Sequence, residues 1–196
     1  MARRTATRER MLDTAAELFH TQGYHATGLN QLLIEGGAPK GSLYFHFPGG
    51  KEQLAAEAVA LSGQRLCAVL RSAFAGEADP GAGLAAVLDH LAESLTESGF
   101  RRGCPLSTVA LDAAADSEPI RKACADGYAS WQRAIEDALT GAGVPAPGAA
   151  RLAVLAVASL EGALLLARTR RDLEPLRQVG EHLAAQIAEE LNQAGS

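Results

Sequence analysis

Residues 27–51 read TGLNQLLIEGGAPKGSLYFHFPGGK, two short helical segments around a glycine pair, and this stretch is unlike ordinary core. Thr27 has an N-cap side chain, whose hydroxyl accepts from one of the orphan N–H groups at a helix start. Leu29, Leu32 and Leu33 then fall at helical spacing on one face. Gly36-Gly37 stops that helix, and Pro39 suits the first turn of the next, where a missing N–H costs nothing. The spacing predicts a second helix over about residues 39–45. Leu43 and Phe47 anchor it inward and leave Lys40, Ser42, Tyr44 and His46 on or near the exposed side. One cation, two hydroxyls and an imidazole are hydrogen-bond donors, and the DNA backbone is an array of acceptors. The pattern is that of a helix-turn-helix.

The flanking sequence makes the likeness more specific. The run RERMLDTAAELFHTQGYHATGLNQLL, followed by APKGSLYFHF and a downstream lysine, resembles the DNA-binding domain of TetR-family transcriptional regulators over residues 8–58. After His46 the chain reads FPGGKEQL, a link one residue longer than most of that family carries. With the later GCPLSTVALDAA, this is similar to the LmrA/YxaF-like branch. The resemblance implies an all-α fold of about nine helices. A three-helix helix-turn-helix DNA-binding domain would occupy residues 1–50, and a helical effector-binding and dimerisation domain residues 51–196. It also implies a homodimer on a palindromic operator, released when a small aromatic or drug-like molecule binds the C-terminal domain. Known branch members repress efflux or detoxification genes.

Carried onto this chain, the motif assigns DNA contacts to Thr27, Pro39, Lys40 and Gly41, and to Ser42, Tyr44, His46 and Lys51. Gly41 and Ser42 stand where relatives press backbone and a small hydroxyl against the duplex. Lys51 is expected on a phosphate and Lys40 at base edges. His46 stands equally as a phosphate partner or as the cap of its short helix.

Composition points the same way. With 196 residues and 47% hydrophobic side chains the chain has enough apolar material for a substantial core. Aromatics make up only 5%, and the apolar content is mainly Ala and Leu, which favours helices throughout. The net charge of −5 divides unevenly, +1 over residues 1–50 and −6 over residues 51–196. A basic tip on an acidic body binds DNA locally, with a weak field around it. The Arg-rich start stands either as a basic arm for DNA or as a solvated, frayed terminus.

Cys67, Cys104 and Cys124 form neither a disulfide framework nor a zinc motif. The expected location is the cytoplasm, since MARRTATRER leads into a charged amphipathic pattern and not an apolar leader. The longest apolar stretch, Leu152 to Ala167, contains Glu161 and falls short of the roughly 20 residues that span a bilayer, so no membrane partner is expected.

Periodicity places further helices over about residues 7–21, 51–75, 80–98, 105–115, 118–140, 147–169 and 173–192. The helix from Lys51 is the expected lever between head and body. The one through Leu155 is apolar nearly all round and must be covered on every face. A second copy is the expected cover, and the resemblance implies a four-helix interface from the last two helices of each subunit. Leu155, Leu176, Leu183 and Ile187 are its candidates.

Candidates for an effector cavity are Phe100, Cys104, Leu111, Tyr128, Trp131 and Glu161. An apolar chamber with few polar groups suits a small-molecule ligand. A carboxylate in an aliphatic helix needs a partner, whether an internal arginine, a dimer contact or a cationic or hydroxylated ligand.

Other classes fare worse. In PGGK the lysine is followed by Glu52 and position 45 is Phe, so it is no phosphate-binding loop. His90, Ser94, Asp112 and Cys104 are joined by no nucleophile motif or ligand spacing, so no enzyme, metal site or cofactor is expected. A thiol- or metal-responsive regulator on the same scaffold stands as the alternative.

Overall fold

The structure, a computed structural model, describes residues 2–39, 41–77 and 79–194. Among the described residues the chain forms nine α-helices and no strand. They are α1 (Ala2–Gln22), α2 (Leu29–Glu35), α3 (Ser42–His46), α4 (Gly50–Gly76) and α5 (Pro80–Glu97), then α6 (Pro105–Ala113), α7 (Glu118–Gly141), α8 (Ala146–Arg170) and α9 (Glu174–Ala194). Local chemistry sets many of the ends. Asp79 caps α5 by accepting from Ala82 N at 3.2 Å, with Pro80 in the first turn. Ser117 caps α7, its hydroxyl accepting from Ile120 N at 3.3 Å.

Three boundaries differ from the sequence expectation. α1 starts at Ala2, five residues early, because its Ala, Arg and Thr content permits helix well before the apolar stripe begins. The cap of α2 is Gly28, not Thr27. α3 begins at Ser42, so Pro39 precedes it: the Pro39 carbonyl accepts from Ser42 N at 3.0 Å and from the Ser42 hydroxyl at 2.8 Å.

Packing groups the helices into two compact units. The first joins Met1–Gln64 to Cys104–Gly127 and is built around Met11, Phe19, Leu32, Leu43, Phe47, Leu54 and Leu106. It therefore holds α6 and the first part of α4 together with the helix-turn-helix.

The second unit joins Arg65–Gly103 to Tyr128–Ser196, with α9 packed on both α5 and α8. Leu176, Leu183 and Ile187 are each buried within this one subunit. That corrects their assignment to a subunit interface: α5 packs on α9, with Leu88 against Gly180, and supplies cover that periodicity on α9 could not reveal. Leu155 is different. It is 45% exposed on α8, beside exposed Val154, Leu165 and Leu166. At 25 residues α8 is long and apolar enough to cross a membrane by composition, yet Leu152, Leu160 and Leu164 are buried inside the unit.

Candidate nucleic-acid interface

α3 is five residues long, too short to be stable by its own hydrogen bonds, and depends on its anchors. Leu43 and Phe47 are both buried in the first unit, and the Arg8 guanidinium lies 4.9 Å from the centre of the Phe47 ring. Arg8 is in turn paired with Glu57, which accepts from Gln53 Nε2 at 2.9 Å, and Gln53 Oε1 accepts from Gly49 N at 2.8 Å. This chain of contacts fixes the Pro48-Gly49-Gly50 link against α1 and α4, so the helix that follows is held on a defined path.

The anchoring leaves Tyr44 61% and Phe45 58% exposed, with half-buried Ser42 and His46 alongside. His46 packs edge-on to Phe45 with ring centres 5.0 Å apart. Phe45 was not among the sequence candidates. The signal that pointed to it is the i, i+4 spacing of Leu43 and Phe47, which turns the intervening aromatic outward.

Gly41 is the residue just before α3, at φ +91°, and a Cβ there would meet nothing within 4 Å. Its glycine is required by that left-handed backbone, which replaces the expected role inside the helix. Lys40 lies outside the described residues. Pro39 is exposed.

Thr27 is a correction. It is wholly buried, and its hydroxyl donates to the Gly23 carbonyl at 2.7 Å, tying the end of α1 to the start of α2. A donor spent inside the fold cannot reach a phosphate. The residue supports the motif without touching a partner.

Lys51 sits at the start of α4 with its ammonium 4.3 Å from the centre of the Tyr24 ring. Partial burial pulls its pKa below the ordinary lysine value, and the Asp112 carboxylate works in the opposite direction. Burial, reinforced by Glu52, holds the Tyr24 phenol above its usual range. Lys51 is thus a cation held on an aromatic face and not a freely swinging one.

Residues 11–58, which hold this arrangement, match the family described as bacterial regulatory proteins, tetR family. Residues 80–182 match the C-terminal domain of LmrA/YxaF-like transcriptional regulators. The chain belongs to the TetR family of transcriptional regulators. It is 38% identical to the HTH-type transcriptional regulator LmrA of Bacillus subtilis over 88% of this chain and 92% of that protein. It is 36% identical to the uncharacterized regulator YxaF of the same organism, over 93% and 96% respectively. Among solved structures, a TetR transcriptional regulator from Chloroflexus aurantiacus superposes with a TM-score of 0.77 at 29% identity, covering 96% of this chain and 97% of that one. This is a DNA-binding regulator of the LmrA/YxaF-like branch, and the class is not enzymatic.

The candidate effector residues of this TetR-family protein divide. Trp131 and Glu161 line one narrow cavity in the second unit together with Leu66, Leu70, Val87 and Leu91. Tyr128 stands beside it, its ring edge-on to Trp131 at 5.3 Å. Phe100 is not in that lining; it follows α5 at φ +61°.

Cys104 and Leu111 are not in that lining and belong to the first unit. Cys104 is buried as the cap of α6, its sulfur accepting from Leu106 N at 3.3 Å, and Leu111 is 86% exposed. The sequence showed apolar residues near a loop but not which side of α6 faces the core. A wider groove of about 450 Å³ runs between α5 and α9, lined by Ala85, Leu88, Leu176, Gly180 and Ala184 among others.

The cysteines give the thiol-sensor alternative little to work with. Burial pushes the Cys124 thiol up to about 11, and half-buried Cys67 donates to the Ser130 carbonyl at 3.7 Å. Among the described residues no cluster of His, Cys, Asp and Glu is arranged to hold a metal ion.

Proposed function

We propose that this regulator is a cytoplasmic repressor that binds a palindromic operator as a homodimer and releases it when a small aromatic or drug-like molecule enters the body. The functional division lies at residues 50 and 51: the head reads DNA, and the remainder binds effector and forms the dimer. The observation that carries the DNA part is the exposed Tyr44–Phe45 pair on a helix pinned by two buried neighbours. Such a surface offers a hydroxyl to phosphate and an apolar ring to sugar or a thymine methyl. Ser42, His46, Lys51 and the backbone at Gly41 stand beside it. The Ser42 hydroxyl must turn from the Pro39 carbonyl to donate to a phosphate.

Dimerisation is supported by the uncovered apolar side chains of α8, Val154, Leu155, Leu165 and Leu166. A two-fold contact buries each of them against its own copy or a neighbour. Effector binding is supported by the cavity at Trp131 and Glu161. It has about 30 Å³ of room as it stands, enough for a water molecule or two. A drug-sized ligand must therefore push its walls apart, which is how occupancy becomes movement.

The test begins by selecting duplexes from a random-sequence pool with the purified protein. Footprints should show two half-sites about 34 to 36 Å apart, or a related multiple. A single unrepeated half-site bound by one subunit would reject the reading. A thermal-shift screen of antibiotics, dyes and polyphenols, with hits retested for release of the selected duplex, identifies the effector class.

A further inference from the structure

α6 ends against the turn that opens the helix-turn-helix. Asp112 Oδ2 accepts from His25 N at 2.9 Å, and His25 Nε2 meets the Asp112 carbonyl oxygen at 2.9 Å. The carboxylate fits there because residue 23 is glycine: a Cβ on Gly23 would stand 2.8 Å from Asp112 Oδ2. Thr27, two residues beyond His25, donates within the same turn to the Gly23 carbonyl at 2.7 Å and reaches the Leu18 carbonyl of α1 at 3.5 Å. The turn leading into α2 is thus fastened on one side to α1 and on the other to α6.

The chain passes between the two compact units at three places, residues 64/65, 103/104 and 127/128. Those are the backbone connections of the first unit, which holds the head together with α6. The second leads within nine residues to Asp112.

We propose that Asp112 is a positioning residue for operator binding: through its reciprocal hydrogen bonds with His25, in the notch left by Gly23, it makes the placement of α2 and α3 follow α6. The inference rests on DNA binding by the head and on no particular effector. Coupling is reciprocal, so a duplex bound at the head must also alter α6.

The experiment uses the full-length protein and a duplex selected with wild-type protein, read by titration and by amide hydrogen exchange over residues 108–114. Wild type should show slower exchange there when the duplex binds. Asp112→Ala should weaken binding by about five- to tenfold and abolish that change. Asp112→Asn keeps an acceptor oxygen for the His25 amide and should retain both within about twofold. His25→Phe, at an exposed position, removes one bond of the pair and should fall between them, which keeps the question answerable if Asp112→Ala does not fold. Wild-type affinity and exchange in Asp112→Ala, or equal losses in the alanine and asparagine variants, would overturn the proposal. Failure of wild type to select any duplex would instead overturn the DNA-binding reading.

Discussion

α3 and α8 both present uncovered apolar side chains, but their surroundings differ. On α3, Tyr44 and Phe45 are set among Ser42, His46 and, at the start of α4, Lys51. On α8, Val154, Leu155, Leu165 and Leu166 share their stripe with Ala158 and Gly162. A surface that mixes rings with donors suits a polar partner, whereas an aliphatic stripe with small residues suits another stripe like itself. Exposure alone therefore says little, and the company it keeps separates a DNA contact from a protein contact.

The strongest way to break the comparison is to charge each side of the last two helices in turn. Leu165→Glu on α8 should halve the mass seen by light scattering, leave the fold intact and weaken operator binding by about a hundredfold or more, since a lone head engages one half-site. Leu183→Glu should behave otherwise. Leu183 is 3% exposed inside its own subunit, so a carboxylate there destabilises the monomer by about 4 kcal/mol or more, and melting should collapse before any change of mass can be read. A folded dimer in both variants would place the interface elsewhere.

This pair of outcomes also marks the limit of the sequence. The period of Leu176, Leu183 and Ile187 showed a buried face on α9 but not its partner. That partner is in part α5, some ninety residues earlier in the chain. Around the head the reading went further, because its signals are local. The stop at Gly36-Gly37 and the anchors Leu43 and Phe47 are each settled within a few residues, whereas the left-handed backbone at Gly41, just before α3, is not read from the sequence. Thr27 was misplaced for an equally local reason: a threonine before a helix can cap it or bond backward, and here it bonds to Gly23. The face that α6 turns to the core, with Cys104 buried at its start and Leu111 exposed, is set by its packing on α1, which no spacing within α6 reports.

On the polar surface the effects should be smaller and graded. Tyr44→Ala removes one hydroxyl and one ring, and about tenfold weaker operator binding is expected by titration. Lys51→Ala should weaken all duplexes alike and reduce the salt slope by about one unit. Its net loss should be modest, because the ammonium gives up its place over Tyr24 to meet a phosphate. Sequence-selective loss from Lys51→Ala would show that it reads bases. Thr27→Val should lower folding stability by about 1 kcal/mol in denaturant titration with an unchanged salt slope, since its hydroxyl acts wholly within the head.

The smallest effect expected on DNA binding comes from the thiols, and their chemistry separates the proposed effector from an oxidant. Cys124 is raised from 9.0 to about 11 by burial, so the folded state favours the neutral thiol over the thiolate. Its contribution to stability is complete below pH 9 and is lost as pH climbs through about 11. At pH 8 roughly one Cys124 in a thousand is a thiolate. Maleimide at that pH should therefore modify half-buried Cys67 first, and Cys104 and Cys124 only as the protein unfolds. Operator affinity should be unchanged after mild oxidant treatment, both in wild type and in a protein carrying serine at all three positions. Rapid labelling of Cys124 in the folded protein, together with oxidant-driven release that the triple serine variant lacks, would turn the regulator into a thiol sensor and move the search for an effector away from the Trp131 cavity.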